Sequence, residues 1–393
     1  MSGYLVARFD CTVDQLGQRS FAMLRMTVKK LCMPKIKKLK VAVLMGGRSA
    51  EREVSLVTGK AIFDNLDRKK YAPVLVEMAR DGKFLLVKNK KIILDLSPPQ
   101  RDPASWLWQN KDRKMFDLVF IALHGSPGED GGVQGMLESC GIKYTGSGVL
   151  ASALAMNKVF SAQIYLANGL PYPEFIHFKK DGWQRGADKI LADAESTIGF
   201  PLVIKPVDQG SAVGVSIVKS KEELKKTIAK TIKTFPWLMA QKFIKGQEAT
   251  CGVLEISGAP IALPPTRILP NFGEFYDYKS KYQAGGSQHT CPADFDAEIN
   301  TQIQKLAIMA HKALGCRGMS RTDIFVDGDP STSPKPRAER SGSGQYGAGK
   351  KLYILETNTI PGMTPTSLFP EAAAKAGVDF NRMLDYIINA SIK

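Results

Sequence analysis

The most restrictive feature of the sequence is a pair of strand-length apolar runs, VAVLM at residues 41–45 and LVFIAL at 118–123, each ending in a glycine-bearing loop. A continuous apolar run of this length, unlike an alternating one, fits a strand buried on both faces, as in a parallel sheet covered by helices. After the first run, Val54, Val57, Ala61, Ile62 and Leu66 fall along one side of a helix over 54–66. Residues 72–77 read as a second strand, and 133–140 as a helix closed by Gly141. Strand, loop, helix and strand in this order predict a doubly wound α/β lobe. Neither run approaches the ~18 residues of a membrane span. The N-terminus lacks the uninterrupted apolar stretch and small-residue cleavage site of a secretory signal, which places the chain in a reducing cytoplasm.

With 393 residues the chain is long enough for further lobes. The pattern changes near residue 151 to a helix over 151–168, a proline-rich connection, and strands at 202–205 and 213–218 around a glycine-bearing turn, which is α+β. A third region from about residue 248 holds more strands, a helix over 299–314 and late strands at 322–326 and 352–356. The expected organisation is a basic, flexible extension over 1–38, an N-terminal lobe over 39–150, a central lobe over 151–247 and a C-terminal lobe over 248–393. A Pro/Ser/Gly-rich stretch at 329–350 is expected as a mobile insertion in the last of these.

The net charge of +16 is unusual. Residues 1–40 carry nine Lys/Arg against two Asp, and 329–351 carry five Lys/Arg against two acids, so most of the excess sits on appendages. Such a distribution gives weak support to nucleic-acid binding, kept only as a distant alternative in which the basic arm makes the chain a nucleic-acid-associated module. The six cysteines form no CxxC pair and no His cluster accompanies them, which argues against a zinc or dithiol site.

Chemistry-bearing residues concentrate in four places. On the late strands, Arg321 and Asp323 stand two apart, as do Glu356 and Asn358, and a period of two puts each pair on one face. If the strands are neighbours, two carboxylates and an amide oxygen converge beside a guanidinium, a set of hard donors suited to Mg2+ bound with phosphates. The alternative is the solvated face of a hairpin. The following TIPGMT turn, at 359–364, offers backbone N–H groups to an anion. In the second place, the apolar strand FPLVIKP ends in Lys205 and turns through DQGSAVG, where small residues let backbone amides approach an oxyanion; a tight hairpin with an exposed lysine is the alternative. Lys158 is either a second phosphate lysine or a helix-surface charge.

Third, the loops GGRSAERE and HGSPGEDGG follow parallel strands, where ligands of open α/β sheets sit. Glu51 there is either an ammonium receiver or a helix-start acid, and His124 either orients a carboxylate or is a hydrogen-bonded turn histidine. Neither loop matches GxGxxG, so a dinucleotide site lacks support. Fourth, FYDYKSKY at 275–282 alternates aromatic and charged residues before Gly285-Gly286, the texture of a lid that excludes water or of an exposed strand edge.

Jointly, VAVLMGGRSAEREVSL, the stretch FIALHGSPGEDGGVQGMLESCGIKYTGSGVLASALAMNK, PLVIKPVDQGSAVGVS, FYDYKSKY, GMSRTDIFVD and ILETNTIPGMTPTSL resemble the D-alanine-D-alanine ligase family of ATP-grasp enzymes, from about residue 40 to 393. The resemblance implies a doubly wound N-terminal lobe followed by a two-lobed ATP-grasp fold, with ATP and two Mg2+ (or Mn2+) ions between the last two lobes. It implies ligation of two D-alanines through an acyl phosphate for peptidoglycan precursor synthesis, or, as the alternative, another ATP-grasp carboxylate-amine or D-alanine-D-lactate ligase. By resemblance, Glu51 and His124 meet the first D-alanine, and Ser211 and Tyr282 connect to Glu51. Lys158, Lys205 and Lys281 meet ATP phosphates, Gln241 and Lys242 the adenine, and Glu248 the ribose. Asp323, Glu356 and Asn358 match metal ligands, Arg321 and the Gly362 backbone match the oxyanion groups, and Ser367 matches the group on the second substrate's carboxylate. Tyr282 matches the residue that accompanies an amine acceptor. The chain departs from many relatives at Ala212, where a second serine is common, and at Gln241, where glutamate is common. No nucleic-acid partner and no membrane span are expected, and a homodimer fits the resemblance.

Overall fold

The structure is a computed structural model, and it describes residues 37–88, 91–95, 115–270, 286–328, 351–364 and 366–392. The elements of the first sheet, with its helices, are β1 (Leu39–Gly46), α1 (Arg52–Asn65), β2 (Tyr71–Met78), β3 (Lys83–Leu86), β4 (Lys91–Asp95), β5 (Leu118–Ile121), α2 (Gly132–Ser139) and β6 (Lys143–Tyr144). The strand order is β4-β3-β2-β1-β5-β6. The four strands from β2 to β6 are parallel, and β3 and β4 extend the edge in antiparallel fashion. Val41, Ala42, Val43 and Leu44 are all buried, as a strand covered on both faces requires. On α1, Gly59 lets the helix lie close to β1, since a Cβ there would stand 2.5 Å from the Met45 Cβ. Ser55 joins the two functional loops: its Oγ accepts from the Gly46 amide at 2.8 Å and donates to the Ala122 carbonyl at 2.7 Å.

The periodicity over 151–168 predicts one helix, but the chain forms two, α3 (Val149–Met156) and α4 (Lys158–Ala167), bent by 103°. Asn157 breaks the helix with an extended backbone, and its side chain accepts hydrogen bonds from the amides of Val159 and Phe160, capping α4. The bend turns Lys158 inward. It is only 7% exposed, and its amide donates to the Val207 carbonyl at 2.9 Å.

The second sheet is built from β7 (Phe175–Lys179), β8 (Leu202–Pro206), β9 (Ser216–Val218) and β10 (Trp237–Lys242), with α5 (Lys180–Thr197) and α6 (Lys221–Thr231) packed against it. Its order is β7-β10-β8-β9, antiparallel throughout. The strand expected at 213–218 starts only at Ser216. Before it, Ser211 and Ala212 hold left-handed backbone at φ 51° and 56°, a geometry that turns successive amides toward one concavity.

The third sheet comprises β11 (Gly246–Ile256), β12 (Ala259–Ala262), β13 (Thr266–Pro270), β14 (Ser287–Thr290), β15 (Met319–Asp327) and β16 (Leu352–Asn358), with α7 (Ala297–Ala313) between β14 and β15 and helices α8 (Leu368–Lys375) and α9 (Phe380–Ile392) closing the chain. Its order is β14-β13-β11-β15-β16, with β12 also paired to β11. Distant segments complete its core and that of the first sheet. Ala155, Val159, Ala162 and Tyr165 of α3 and α4 pack with Ile303 and Leu306 of α7, whereas Met383, Leu384, Ile387 and Ile388 of α9 join the core beneath β1. Arg317 ties the two sheets, donating to the carbonyls of Gly146 at 2.8 Å and Tyr144 at 3.2 Å. Among the described residues no single helix is long and apolar enough to cross a membrane, and Cys251, Cys291 and Cys316 form no disulfide.

Candidate active site

On β15 and β16 the antiparallel register sets Arg321 opposite Asn358 and Asp323 opposite Glu356. The alternate residues point the other way: Thr322 and Thr357 meet Oγ1 to Oγ1 at 3.0 Å, and Tyr165 donates to Thr357 Oγ1 at 2.8 Å in the core. Period two therefore holds, and a solvated hairpin face does not, because Asp323 is 3% exposed. Its carboxylate accepts from Arg321 Nε at 3.0 Å and Nη2 at 3.1 Å, from Thr250 Oγ1 at 2.5 Å and from Asn358 Nδ2 at 3.4 Å. Lys158 Nζ stands 3.3 Å from Glu356 Oε2 and donates to the Gln209 carbonyl at 2.6 Å, so it bridges Glu356 to the 207–215 loop.

Lys205, at the end of β8, is buried and donates to Gln241 Oε1 on β10 at 2.7 Å. A neutral amide does not compensate a buried ammonium. Desolvation, followed by the positive charge of Lys158, pushes the Lys205 pKa down to about 7, with Glu356 opposing. Gln241 Nε2 is buried beside the Tyr172 hydroxyl but forms no hydrogen bond of ordinary geometry among the described residues.

Glu51 occupies the N-cap position of α1, and the loop after β5 comes against it. Ser211 Oγ donates to Glu51 Oε1 at 2.5 Å, joining the first sheet's loop to the second sheet's. Gly125 permits this closeness: at φ +67°, a Cβ there would stand 2.8 Å from the Ser49 Cβ and 3.2 Å from Glu51 Oε2. His124 is buried, sharing a hydrogen bond through Nε2 with Thr58 Oγ1 at 3.1 Å and making a backbone hydrogen bond to Ile360. Burial is the main force lowering its pKa; Glu51 opposes and Arg321 reinforces the shift. Glu129 accepts from the Gly125 amide at 2.7 Å. Burial, then the nearby Glu51 charge, raises its pKa to about 8, so it is mostly protonated at neutral pH.

These loops surround a cleft of about 590 Å3. Glu51, His124, Lys158 and Ser211 line one side, and Arg321, Glu356, Asn358, Gly362 and Ser367 the other. Ser367 is the N-cap of α8, and its Oγ accepts from the Thr364 amide at 3.0 Å. Asp323 sits behind Arg321. Lys205, Gln241, Lys242 and Glu248 lie outside this cleft on β8, β10 and β11; Lys242 Nζ is 3.5 Å from a Glu174 carboxylate oxygen. Lys281, Tyr282, the expected extension over 1–36 and the insertion over 329–350 lie outside the described residues. Three ionisable cleft residues were given no role from the sequence, Glu53, Glu129 and His289. Glu129 stands inside the GSPGEDGG loop, and its carboxyl separation from Glu51 is set by folding. His289 belongs to no recognised pattern.

Family models match in two parts: D-ala D-ala ligase N-terminus over residues 40–147, and D-ala D-ala ligase C-terminus over 164–332 and 346–389. A D-alanine--D-alanine ligase from Syntrophobacter fumaroxidans is 39% identical, covering 91% of this chain and 98% of the relative. One from Leptospira interrogans is 37% identical over 90% and 98% of the two chains. Among solved structures, the VanG D-Ala:D-Ser ligase from Enterococcus faecalis aligns with a TM-score of 0.71 at 30% identity, covering 90% of this chain and 99% of its own. The D-alanine-D-alanine ligase from Coxiella burnetii aligns with a TM-score of 0.69 at 27% identity, covering 90% and 93%. Sequence and backbone agree with these proteins over most of the length, and the chain belongs to the D-alanine–D-alanine ligase family.

Proposed function

We propose that the chain joins two D-alanines at the expense of ATP, releasing D-alanyl-D-alanine, ADP and phosphate for peptidoglycan precursor synthesis. The observation that carries this reading is the convergence of Glu356, Arg321 and Lys158, with Asp323 held behind Arg321, at one cleft that also holds the Glu51–Ser211 pair. Two carboxylates and an amide are hard donors that fit Mg2+ or Mn2+, and Asp323, Glu356 and Asn358 would hold them, two ions in the fullest form of the reading. Such ions supply charge neutralisation and orientation of the nucleotide's phosphates.

The chain's own groups do the rest. The carboxylate of the first D-alanine is a poor electrophile, and phosphorylation by ATP makes it an acyl phosphate. Glu51, steadied by Ser211, receives the ammonium of that substrate, and His124, kept neutral by burial, orients its carboxylate. Lys158, Lys205 and Lys281 spread the charge of the transferring phosphoryl group, while Gln241, Lys242 and Glu248 hold the nucleoside. Ser367, at the N-terminus of α8, binds the carboxylate of the second D-alanine. As the second amine attacks, Arg321 and the Gly362 amide stabilise the tetrahedral oxyanion, and collapse expels phosphate. Tyr282, which lies outside the described residues, is given by the resemblance a role alongside Glu51 and Ser211. The lobes at 39–150, 151–247 and 248–393 divide this work, in the cytoplasm, in a monomer or homodimer.

Incubation with ATP, D-alanine, D-lactate and D-serine tests the reading. D-alanine-dependent ADP release with the dipeptide as the dominant product is the expected outcome; an ester or mixed D-Ala-D-Ser product as the main species overturns it.

A pH effect follows from Lys205. Its ligand-free pKa of about 7 lies below the value it takes beside a triphosphate, so ATP binding takes up a proton above neutrality. Below pH 7 both states are protonated and affinity is flat. Above it, affinity falls by up to about tenfold per pH unit until the bound-state pKa is passed. Calorimetry near pH 8 in buffers of different ionisation enthalpy is expected to give an uptake approaching about one proton per site, absent in Lys205→Met.

A further inference from the structure

Among the ionisable side chains that line the cleft, His289 has no part in the ligation steps given above. His289 lies on β14, the edge strand of the third sheet, paired in register with Ile268, and it lines the same cleft as Arg321, Gly362 and Ser367. Ser287, two residues earlier and hence on the same face, meets its Nε2 at 2.9 Å. Nδ1 has no hydrogen-bond partner among the described residues.

An α-ammonium group carries no lone pair, so the attacking amino acid must lose a proton before it can act as a nucleophile. The other titratable groups that line the cleft are paired, protonated or, for Glu53, exposed in the first turn of α1 next to Glu51. Ser211 engages Glu51, Lys158 pairs with Glu356, and Thr58 and the Ile360 backbone bind the His124 ring. Glu129 is mostly protonated at neutral pH. Only His289 combines a place on the acceptor side with an unengaged ring nitrogen.

We propose that His289 is a catalytic base for the second half-reaction, taking the proton from the ammonium of the attacking D-alanine. The inference rests on the ligase reading given above. In the step, an N–H bond of the ammonium breaks and an Nδ1–H bond forms. The freed lone pair attacks the acyl carbon. Collapse breaks the bond from that carbon to the phosphate oxygen; phosphate leaves with the electron pair and takes the second amine proton, and the imidazolium returns its own proton to solvent. Ser287 Oγ accepts from Nε2–H in the tautomer this requires, and so supports the charged ring.

The charged groups that face the ring are Arg321 on β15 and Glu371 on α8. Burial chiefly, with the Arg321 guanidinium, lowers the pKa of His289, and Glu371 opposes them. The ring is thus a free base at neutral pH, with a carboxylate nearby to favour the imidazolium when the proton arrives.

The test compares full-length wild type with His289→Gln and His289→Asn. Two rates are read across pH: dipeptide formation, and exchange of 18O from the β,γ-bridge of ATP, which reports reversible acyl phosphate formation without the second chemical step. Expected are a loss of dipeptide formation of about 10²-fold, disappearance of the acidic limb in its pH profile, and exchange that is retained or increased. Partial recovery by added imidazole in His289→Gly supports the same assignment. Ligation within about threefold of wild type, or exchange lost in parallel with ligation in both variants, overturns it. Failure of the ligase reading itself looks different, because wild-type protein then shows neither D-alanine-dependent exchange nor dipeptide.

Discussion

Glu356→Gln is expected to lower dipeptide formation by about 10³-fold or more while leaving the fold intact. The substitution keeps the shape of the side chain and removes its charge. Glu356 is a cleft residue with a side chain 24% exposed, not part of a core, so packing is preserved. The loss falls on electrostatics in two ways. One of the two carboxylates of the proposed metal set becomes a weak neutral donor. Lys158, 3.3 Å from Glu356 and almost wholly buried, also loses its anionic partner, and Lys205 loses the group that supports its protonated form. Lys205 is then held charged less readily, just where phosphate charge must be matched. The check is ADP release and dipeptide yield at saturating ATP, with the thermal midpoint and near-ultraviolet circular dichroism as measures of folding. Turnover within about tenfold of wild type removes Glu356 from the metal set.

That the four residues at 321, 323, 356 and 358 share one face was legible because strand periodicity is local: two residues apart is one face wherever the strand goes. Their register was not. The connection between β15 and β16 runs through the 329–350 stretch, whose length carries no information about which residue meets which. The same contrast runs through the fold. The buried strands β1 and β5 announce themselves by composition, while β3 and β4 are short, and their apolar runs, FLLV at 84–87 and IIL at 92–94, do not say that they pair as an antiparallel edge. The apolar pattern of 151–168 continues across Asn157, so periodicity alone joins what the cap separates; the polar Asn at the start of the second helix was the available signal. The use of α9 as core beneath β1 depends on packing between ends of the chain, which no local pattern encodes. At the site, Lys205 was legible because a lysine ending an apolar strand is costly without a purpose. Glu129 and His289 were not, since their chemistry arises from what lies across the cleft: Glu51 in one case, Arg321 and Glu371 in the other.

Arg321→Ala is expected to lower kcat by about 10³-fold with a smaller change in the KM for ATP. The guanidinium does two things at once. Through Nε and Nη2 it grips both oxygens of Asp323, and it lines the cleft where the oxyanion of the tetrahedral intermediate is proposed to form. Charge on that oxygen develops only during attack, so its stabilisation appears in kcat rather than in substrate binding. The alanine variant also leaves Asp323, 3% exposed, with the neutral donors Thr250 and Asn358 alone among the described residues, and this adds a stability loss of about 3–5 kcal/mol if no ion takes the place of the lost partner. The two effects separate experimentally. Arg321→Lys keeps a positive charge but cannot form the two-pronged contact, so it should restore much of the thermal stability and little of kcat. Added Mg2+ should raise the thermal midpoint of Arg321→Ala more than that of wild type, because in the variant the ion meets an aspartate with no competing cation. If Arg321→Lys instead recovers kcat to within about tenfold of wild type, the guanidinium acts as a simple counter-charge to Asp323, and the oxyanion must be stabilised by the Gly362 amide without it.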